Sequence, residues 1–260
     1  MSLAYYKLIV AYNGANFYGW QEQPKNRTIQ GVLKSTFKNI FNANCSIVGA
    51  SRTDTGVHAN YQTVRINTKI NIDPKRLKFA WSNALPSDIS IKSLEKLENS
   101  SQFHPQHNIL EKTYHYDFYL GQSDPFFNIT ALHWTWNINL EKLENALKCF
   151  VGKKDFRSFC SSQESTKDTV RTINNIYFYN VKTTEYSQLY RIEFKGKSFL
   201  HNMIRRIVGA CLEAATKDLS LHVLQKALEE KNPRQALLNA PAHGLMLHNI
   251  KYNQAITSQI

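Results

Sequence analysis

The apolar positions of this chain change period several times, and each change marks an element. Residues 4–13, AYYKLIVAYN, form a β-prone apolar run that Asn13-Gly14 stops, which predicts a first strand. From Thr28 the apolar residues Ile29, Val32, Leu33, Phe37 and Ile40 recur at helical spacing, with Lys34 and Lys38 on the opposite face and an end near Asn42. Residues 45–50 and 57–67 read as strands separated by the polar turn SRTDTG. The apolar parity of the second strand shifts between Tyr61 and Val64, which predicts a bulge. Asp73-Pro74 pairs an N-cap acceptor with a proline at the first helical position. Leu77, Ala80, Trp81 and Ala84 continue that helix until Pro86 stops it, and residues 89–97 give another strand.

Strand, helix, strand, strand, helix, strand is the order of a ferredoxin-like unit. Residues 113–252 repeat it, with strands at 113–121, 172–181, 189–196 and 245–252 and helices at 139–152 and 201–215. One insertion departs from the order: residues 220–231, capped by Ser220 and stopped at Asn232-Pro233, predict an extra helix. The expected class is α+β, with two pseudo-duplicated ferredoxin-like halves, residues 1–104 and 105–260. Their antiparallel sheets are expected to join into one central sheet with helices on one face.

Composition narrows the class of partner. The 260 residues include 32 Lys plus Arg against 20 Asp plus Glu, a net charge of +12 that both halves share. No more than two basic residues are adjacent, as in Lys75-Arg76, Lys153-Lys154 and Arg205-Arg206, so a charged surface fits better than a basic tail. Clustered cations of this kind suit a polyanion. Hydrophobic residues at 42% and aromatics at 12% suffice for a sizeable core. Cys45, Cys149, Cys160 and Cys211 form no C-x-x-C pair, which favours buried reduced thiols over zinc or redox chemistry. No apolar stretch approaches the roughly 20 residues of a membrane span, and the N-terminal run lacks a cleavage pattern. The expectation is a soluble, cytoplasmic protein without a metal.

Two motifs are decoys. Gly196-Lys197-Ser198 resembles the end of a phosphate-binding loop, but Arg191 occupies the position of the required earlier glycine. His243 and His248 flank an apolar strand without a third ligand nearby in sequence.

Residues 49–59, GASRTDTGVHA, place a cation, a carboxylate and a flexible glycine in a turn between two strands. Such a turn can project Asp54 from a rigid frame. On spacing alone it also fits an Asx-type turn, with Asp54 bonded to its own backbone and Arg52 solvated.

The segment S-R-T-D-T-G-V-H-A resembles the G-R-T-D-A-G-V-H signature of the TruA-type tRNA pseudouridine synthases. Other blocks are similar to that family's in the same order: residues 13–21 to Y-D-G-x-x-Y-G-W-Q, 85–89 to L-P-x-D-I, 112–116 to basic-x-Y-x-Y, 155–159 to D-F-x-S-F, 171–173 to R-T-I, 199–209 to F-L-H-x-M-I-R-x-I-V-G, and 244–247 to G-L-x-L. Ser51 stands where the family usually has Gly, Asn13 where it has Asp, and Pro105-Gln106 where an Ala-Arg pair is usual. None of these departures removes the carboxylate, but Gln106 removes a basic residue.

The resemblance implies isomerisation of uridine to pseudouridine at positions 38–40 of the tRNA anticodon stem and loop, by a homodimer and with no cofactor. It implies that Asp54 is the catalytic carboxylate, for which attack at C1′, attack at C6 and removal of a C2′ proton are the open roles. It places Tyr114 against the flipped base, where stacking contributes roughly 1 to 3 kcal/mol, and Leu245 as an apolar wall; taken alone, each also reads as an ordinary strand residue. Arg52 suits the gap that the extruded base leaves. On a helical wheel, Arg205 lies at the edge of the apolar stripe of Ile204, Ile207, Val208, Cys211 and Ala215, and Arg206 points away. Arg205 is therefore expected to pair with Asp54, and Arg206 to meet solvent or phosphate, the alternative being that both are solvated. The competing reading is a non-catalytic tRNA-binding or RNA-chaperone protein of ferredoxin-like fold, which would need no Asp54 and Arg205 together.

Overall fold

A computed structural model describes residues 3–99, 103–161, 168–235 and 238–253. The chain packs as two compact units, residues 1–110 with 246–260, and residues 111–245.

The first unit contains β1 (Ala4–Tyr12), α1 (Ile29–Phe41), β2 (Cys45–Gly49), β3 (His58–Thr68), α2 (Pro74–Ala84) and β4 (Ile89–Leu97). Strand β1 lies between β4 and β3, antiparallel to both. The other edge of β3 is shared. Strand β2 takes Val64–Thr68 antiparallel, and β10 (Leu245–Tyr252) takes His58 and Ala59 in parallel. A bulge is present in β3, slightly before the predicted 61–64: Val10 faces Gln62 and Tyr12 faces Ala59, so β3 carries one extra residue at Asn60–Tyr61.

The helices begin where the sequence predicts. The Thr28 hydroxyl accepts from the Gly31 N–H, and the Asp73 carboxylate accepts from the Lys75 and Arg76 N–H groups. Helices α1 and α2 meet edge-to-face through Phe37 and Trp81, whose centroids are 5.0 Å apart, and the Trp81 indole donates to the Thr36 hydroxyl. Alternate residues Tyr6, Leu8 and Val10 of β1 are fully buried, which is the period of a half-buried strand.

The division expected at 104/105 follows chain order, whereas the packing returns β10 to the first unit. Besides its pairing with β3, the Tyr252 ring stands edge-on to Phe103 at 5.2 Å, its hydroxyl donates to the Pro105 carbonyl, and Asn253 N–H donates to the Asn108 carbonyl.

In the second unit, β5 (Ile109–Gly121), β9 (Ser187–Gly196), β8 (Val170–Thr183) and β7 (Gly152–Asp155) are neighbours in that order, all antiparallel. A two-residue strand β6 (Leu132–His133) pairs with β5 in parallel. Helices α3 (Leu140–Lys148), α4 (Met203–Thr216) and the predicted extra helix α5 (Leu221–Glu230) complete it. Helix α3 ends earlier than predicted, at Lys148: the next three N–H groups, of Cys149, Phe150 and Val151, bond carbonyls three residues back, and Gly152, at φ +99°, then turns the chain into β7.

Among the described residues no helix is long and apolar enough to cross a membrane, and no group of three or more His, Cys, Asp or Glu is placed to hold a metal ion. None of the four cysteines forms a disulfide. Cys45 and Cys149 are half-buried rather than fully enclosed, and burial pushes the Cys45 thiol up to about 12.

Candidate active site

The turn bearing Asp54 runs from the end of β2 to the start of β3, and it is held by contacts from two directions. From the strands, the Ala50 N–H donates to the Thr63 carbonyl, and the Thr53 and Tyr12 hydroxyls share a buried hydrogen bond of 2.7 Å. From the loop after β1, the Trp20 N–H donates to the Thr53 carbonyl at 3.0 Å, and the Gly56 N–H to the Phe17 carbonyl at 3.2 Å. The Val57 N–H bonds the Asp54 carbonyl and closes the turn.

The glycines of these two segments are required by close approach. Gly19 has φ +84°, and a Cβ there would lie 2.7 Å from the Thr53 carbonyl oxygen; a Cβ on Gly14 would lie 2.0 Å from that of Val57. Gly14 N–H donates to Nδ1 of the buried His58. The L-P-x-D-I block serves the same loop: Asp88 grips Arg27 through both carboxylate oxygens, and Arg27 lies 3.9 Å from the centre of the Phe17 ring.

Held in this way, Ser51 and Thr53 are buried, Arg52 is exposed and Asp54 is half-buried. A carboxylate and a cation therefore leave the turn from positions two residues apart, on a backbone that cannot slide. Gln106, where a basic residue is usual in the resembling family, donates its side-chain amide to the Gly49 carbonyl at 3.0 Å, immediately before the turn.

In the second unit, Tyr114 lies on β5 opposite Phe194, is 7% exposed, and stands edge-on to Phe199 at 5.3 Å. Tyr116, two residues on, is fully buried and donates to the Pro241 carbonyl. Burial raises its phenol pKa, and the nearby Arg205 charge opposes the shift. Gly244 packs against that ring, since a Cβ there would lie 2.7 Å from Tyr116 Cζ, and this brings Leu245 into the core at the start of β10.

Arg205 donates Nε to the Ala240 carbonyl at 2.7 Å and Nη1 to the Asn202 side chain at 3.0 Å. It is half-buried, as the wheel predicts. Arg206 differs from expectation: it too is half-buried, and its Nη1 reaches the Pro233 carbonyl at 3.5 Å. Helix α4 is buried nearly all round, and the Asn232-Pro233 segment after α5 covers the face that a one-stripe wheel assigns to solvent. Gly196-Lys197-Ser198 is a plain strand end, where a Cβ on Gly196 would meet the Thr172 carbonyl at 2.8 Å.

Asp54 and Arg52 thus lie on one turn of the first unit, and Tyr114, Arg205 and Leu245 lie in the second. No motif marks Gln62, and the one signal near it is the parity shift at residues 61–64; Tyr12 stands at the leading Tyr of the Y-D-G element, which gives no hint of its bond to Thr53.

The family model for tRNA pseudouridine synthase matches residues 8–105 and 146–253, a span that includes the turn, the Arg27–Asp88 brace and helix α4. The chain belongs to the tRNA pseudouridine synthase family, and it is an enzyme of the isomerase class. Among relatives, it is 35% identical over 257 residues to tRNA pseudouridine synthase A of Leuconostoc mesenteroides, covering 95% of this chain and 99% of that one. It is 33% identical over 245 residues to tRNA pseudouridine synthase A of Pseudothermotoga lettingae, covering 94% and 98%. It is also 33% identical over 249 residues to tRNA pseudouridine synthase A 2 of Bacillus thuringiensis, covering 95% and 99%.

Proposed function

We propose that this enzyme converts uridine to pseudouridine in tRNA, at positions 38–40 of the anticodon stem and loop, with Asp54 as the catalytic carboxylate. The observation that carries this reading is the doubly anchored turn, which presents Asp54 beside an exposed Arg52. In the reaction the C1′–N1 bond breaks, the base turns, and C5 bonds to C1′. C5 loses a proton and N1 gains one, so the atoms balance without an oxidant, reductant or cofactor.

The remaining roles follow the resemblance. A base within a stem must be extruded first, and Arg52 fills the space it leaves. Tyr114 stacks on the extruded base, with its hydroxyl suited to proton transfer at C5. Leu245 forms an apolar wall, and Arg205 is the cation that the sequence pairs with Asp54. The +12 charge supports binding to the phosphate backbone.

The proposed assembly is a cytoplasmic homodimer. It is supported by the exposed side chains of Tyr177, Tyr179 and Val181, which alternate along β8 and so share one face of that strand. Mapping pseudouridine by carbodiimide labelling and primer extension after incubating unmodified tRNA with the protein tests the assignment. New stops one nucleotide 3′ of positions 38–40 support it, and stops confined to another part of tRNA overturn the position.

A further inference from the structure

Gln62 lies in the interior of β3, is 0% exposed, and bonds the catalytic turn as a backbone strand would. Its Oε1 accepts from the Ser51 N–H at 3.2 Å, and its Nε2 donates to the Ser51 carbonyl at 2.5 Å. One side-chain amide thus satisfies both main-chain groups of one residue. Two residues on, Thr53 is tied to Tyr12, itself 5% exposed.

Successive side chains of an extended segment point to opposite sides. Ser51 and Thr53 are drawn inward, and Arg52 and Asp54 are left on the outer side. A slip of one residue would reverse this and bury the carboxylate.

We propose that Gln62 and Tyr12 are positioning residues for the reaction: by pinning Ser51 and Thr53 they set the side and the height at which the Asp54 carboxylate meets the uridine. The proposal rests on the assignment of Asp54. A misplacement of about 1 Å at a reacting group costs on the order of 100-fold in rate, so the clamp acts on the chemical step and not on the affinity for tRNA.

Gln62→Glu separates positioning from simple structural support. The ionised carboxylate that this substitution introduces would accept from the Ser51 N–H but have nothing to donate to the Ser51 carbonyl. When protonated, its hydroxyl replaces the missing donor, and burial raises the pH at which it takes up that proton. Single-turnover rates are to be measured from pH 8 to pH 5.5 for wild type, Gln62→Glu, Tyr12→Phe and Asp54→Asn, with tRNA affinity measured alongside. The Gln62→Glu rate is expected about 100-fold below wild type at pH 8. Its ratio to wild type is expected to climb at least about tenfold as the pH falls and the clamp is restored. Tyr12→Phe, which keeps the ring and loses only the hydroxyl, is expected to slow the chemical step about tenfold without that pH trend. Affinity for tRNA is expected to stay within about twofold in both. A flat ratio, or affinity falling in step with rate, overturns the proposal. If Asp54→Asn is inactive while Gln62→Glu and Tyr12→Phe keep wild-type rates, the clamp is refuted and Asp54 stands. If Asp54→Asn remains fully active, the assignment of Asp54 itself fails.

Discussion

The guanidinium of Arg27 is held by both carboxylate oxygens of Asp88, at 2.8 and 3.0 Å, while its face covers the Phe17 ring. The carbonyl of that same Phe17 receives the Gly56 N–H. A surface ion pair is thereby linked, through one aromatic residue, to the turn that carries Asp54. Arg27 is 39% exposed, so the pair itself contributes little, about 0.2 to 1 kcal/mol.

Asp88→Asn is accordingly expected to lower stability in urea by no more than about 1 kcal/mol. Single-turnover conversion should slow several-fold. A variant with normal conversion and the same small loss of stability would show that the brace does not reach the turn.

Gly209 and Gly152 should respond differently to alanine. At Gly209 a Cβ would stand 2.0 Å from the Leu238 carbonyl oxygen, a backbone atom that can yield only by moving the 238–240 segment off α4. Gly209→Ala is expected to cost about 2 to 3 kcal/mol, as overpacking does. At Gly152 nothing lies within 4 Å, but φ is +99°, so Gly152→Ala is expected to cost about 1 kcal/mol of backbone strain alone. Equal losses in urea denaturation would contradict the packing account.

Arg205 and Arg206 are adjacent and equally half-buried, yet their surroundings differ. Arg205 makes two good hydrogen bonds, whereas the Arg206 Nε is buried with no partner among the described residues. Arg206→Met removes an unsatisfied donor and should leave stability within about 1 kcal/mol and turnover within about threefold. Arg205→Met should lower turnover at least about tenfold. Similar kinetic losses in the two variants would remove the distinction.

Lys112 sits on β5 two residues before Tyr114, and burial lowers its pKa to about 8. Between that value and the ordinary lysine value of about 10.4, the unfolded chain binds the proton that the folded chain has released. Stability therefore gains from this group as pH rises through that window. Lys112→Met should abolish the gain, so the difference in stability between wild type and variant should shift toward wild type from pH 8 to 10. Parallel curves would show that Lys112 titrates normally.

Much of the fold follows from local pattern. Asp73-Pro74 marks the start of α2 because a cap and a fixed φ are local chemistry, and Ser220 marks α5 in the same way. Strand β7 has no such mark: its four residues, GKKD, are polar and short, and only pairing with β8 makes them a strand. The half-burial of Arg206 is equally non-local, since the residues that cover it lie 27 positions away. At the site, Asp54 and Arg52 are legible because turn chemistry and the motif share one short segment. Gln62 is not, because a polar residue in a strand signals exposure, and the Ser51 main chain that it satisfies lies 11 positions away.

On the proposed assignment, the Asp54 carboxylate performs the isomerisation. The most direct test is pseudouridine formation by Asp54→Asn on unmodified tRNA, read by carbodiimide labelling and primer extension, beside a binding measurement. The predicted result is no detectable pseudouridine with tRNA affinity within several-fold of wild type. Pseudouridine formed at the wild-type rate would contradict the account.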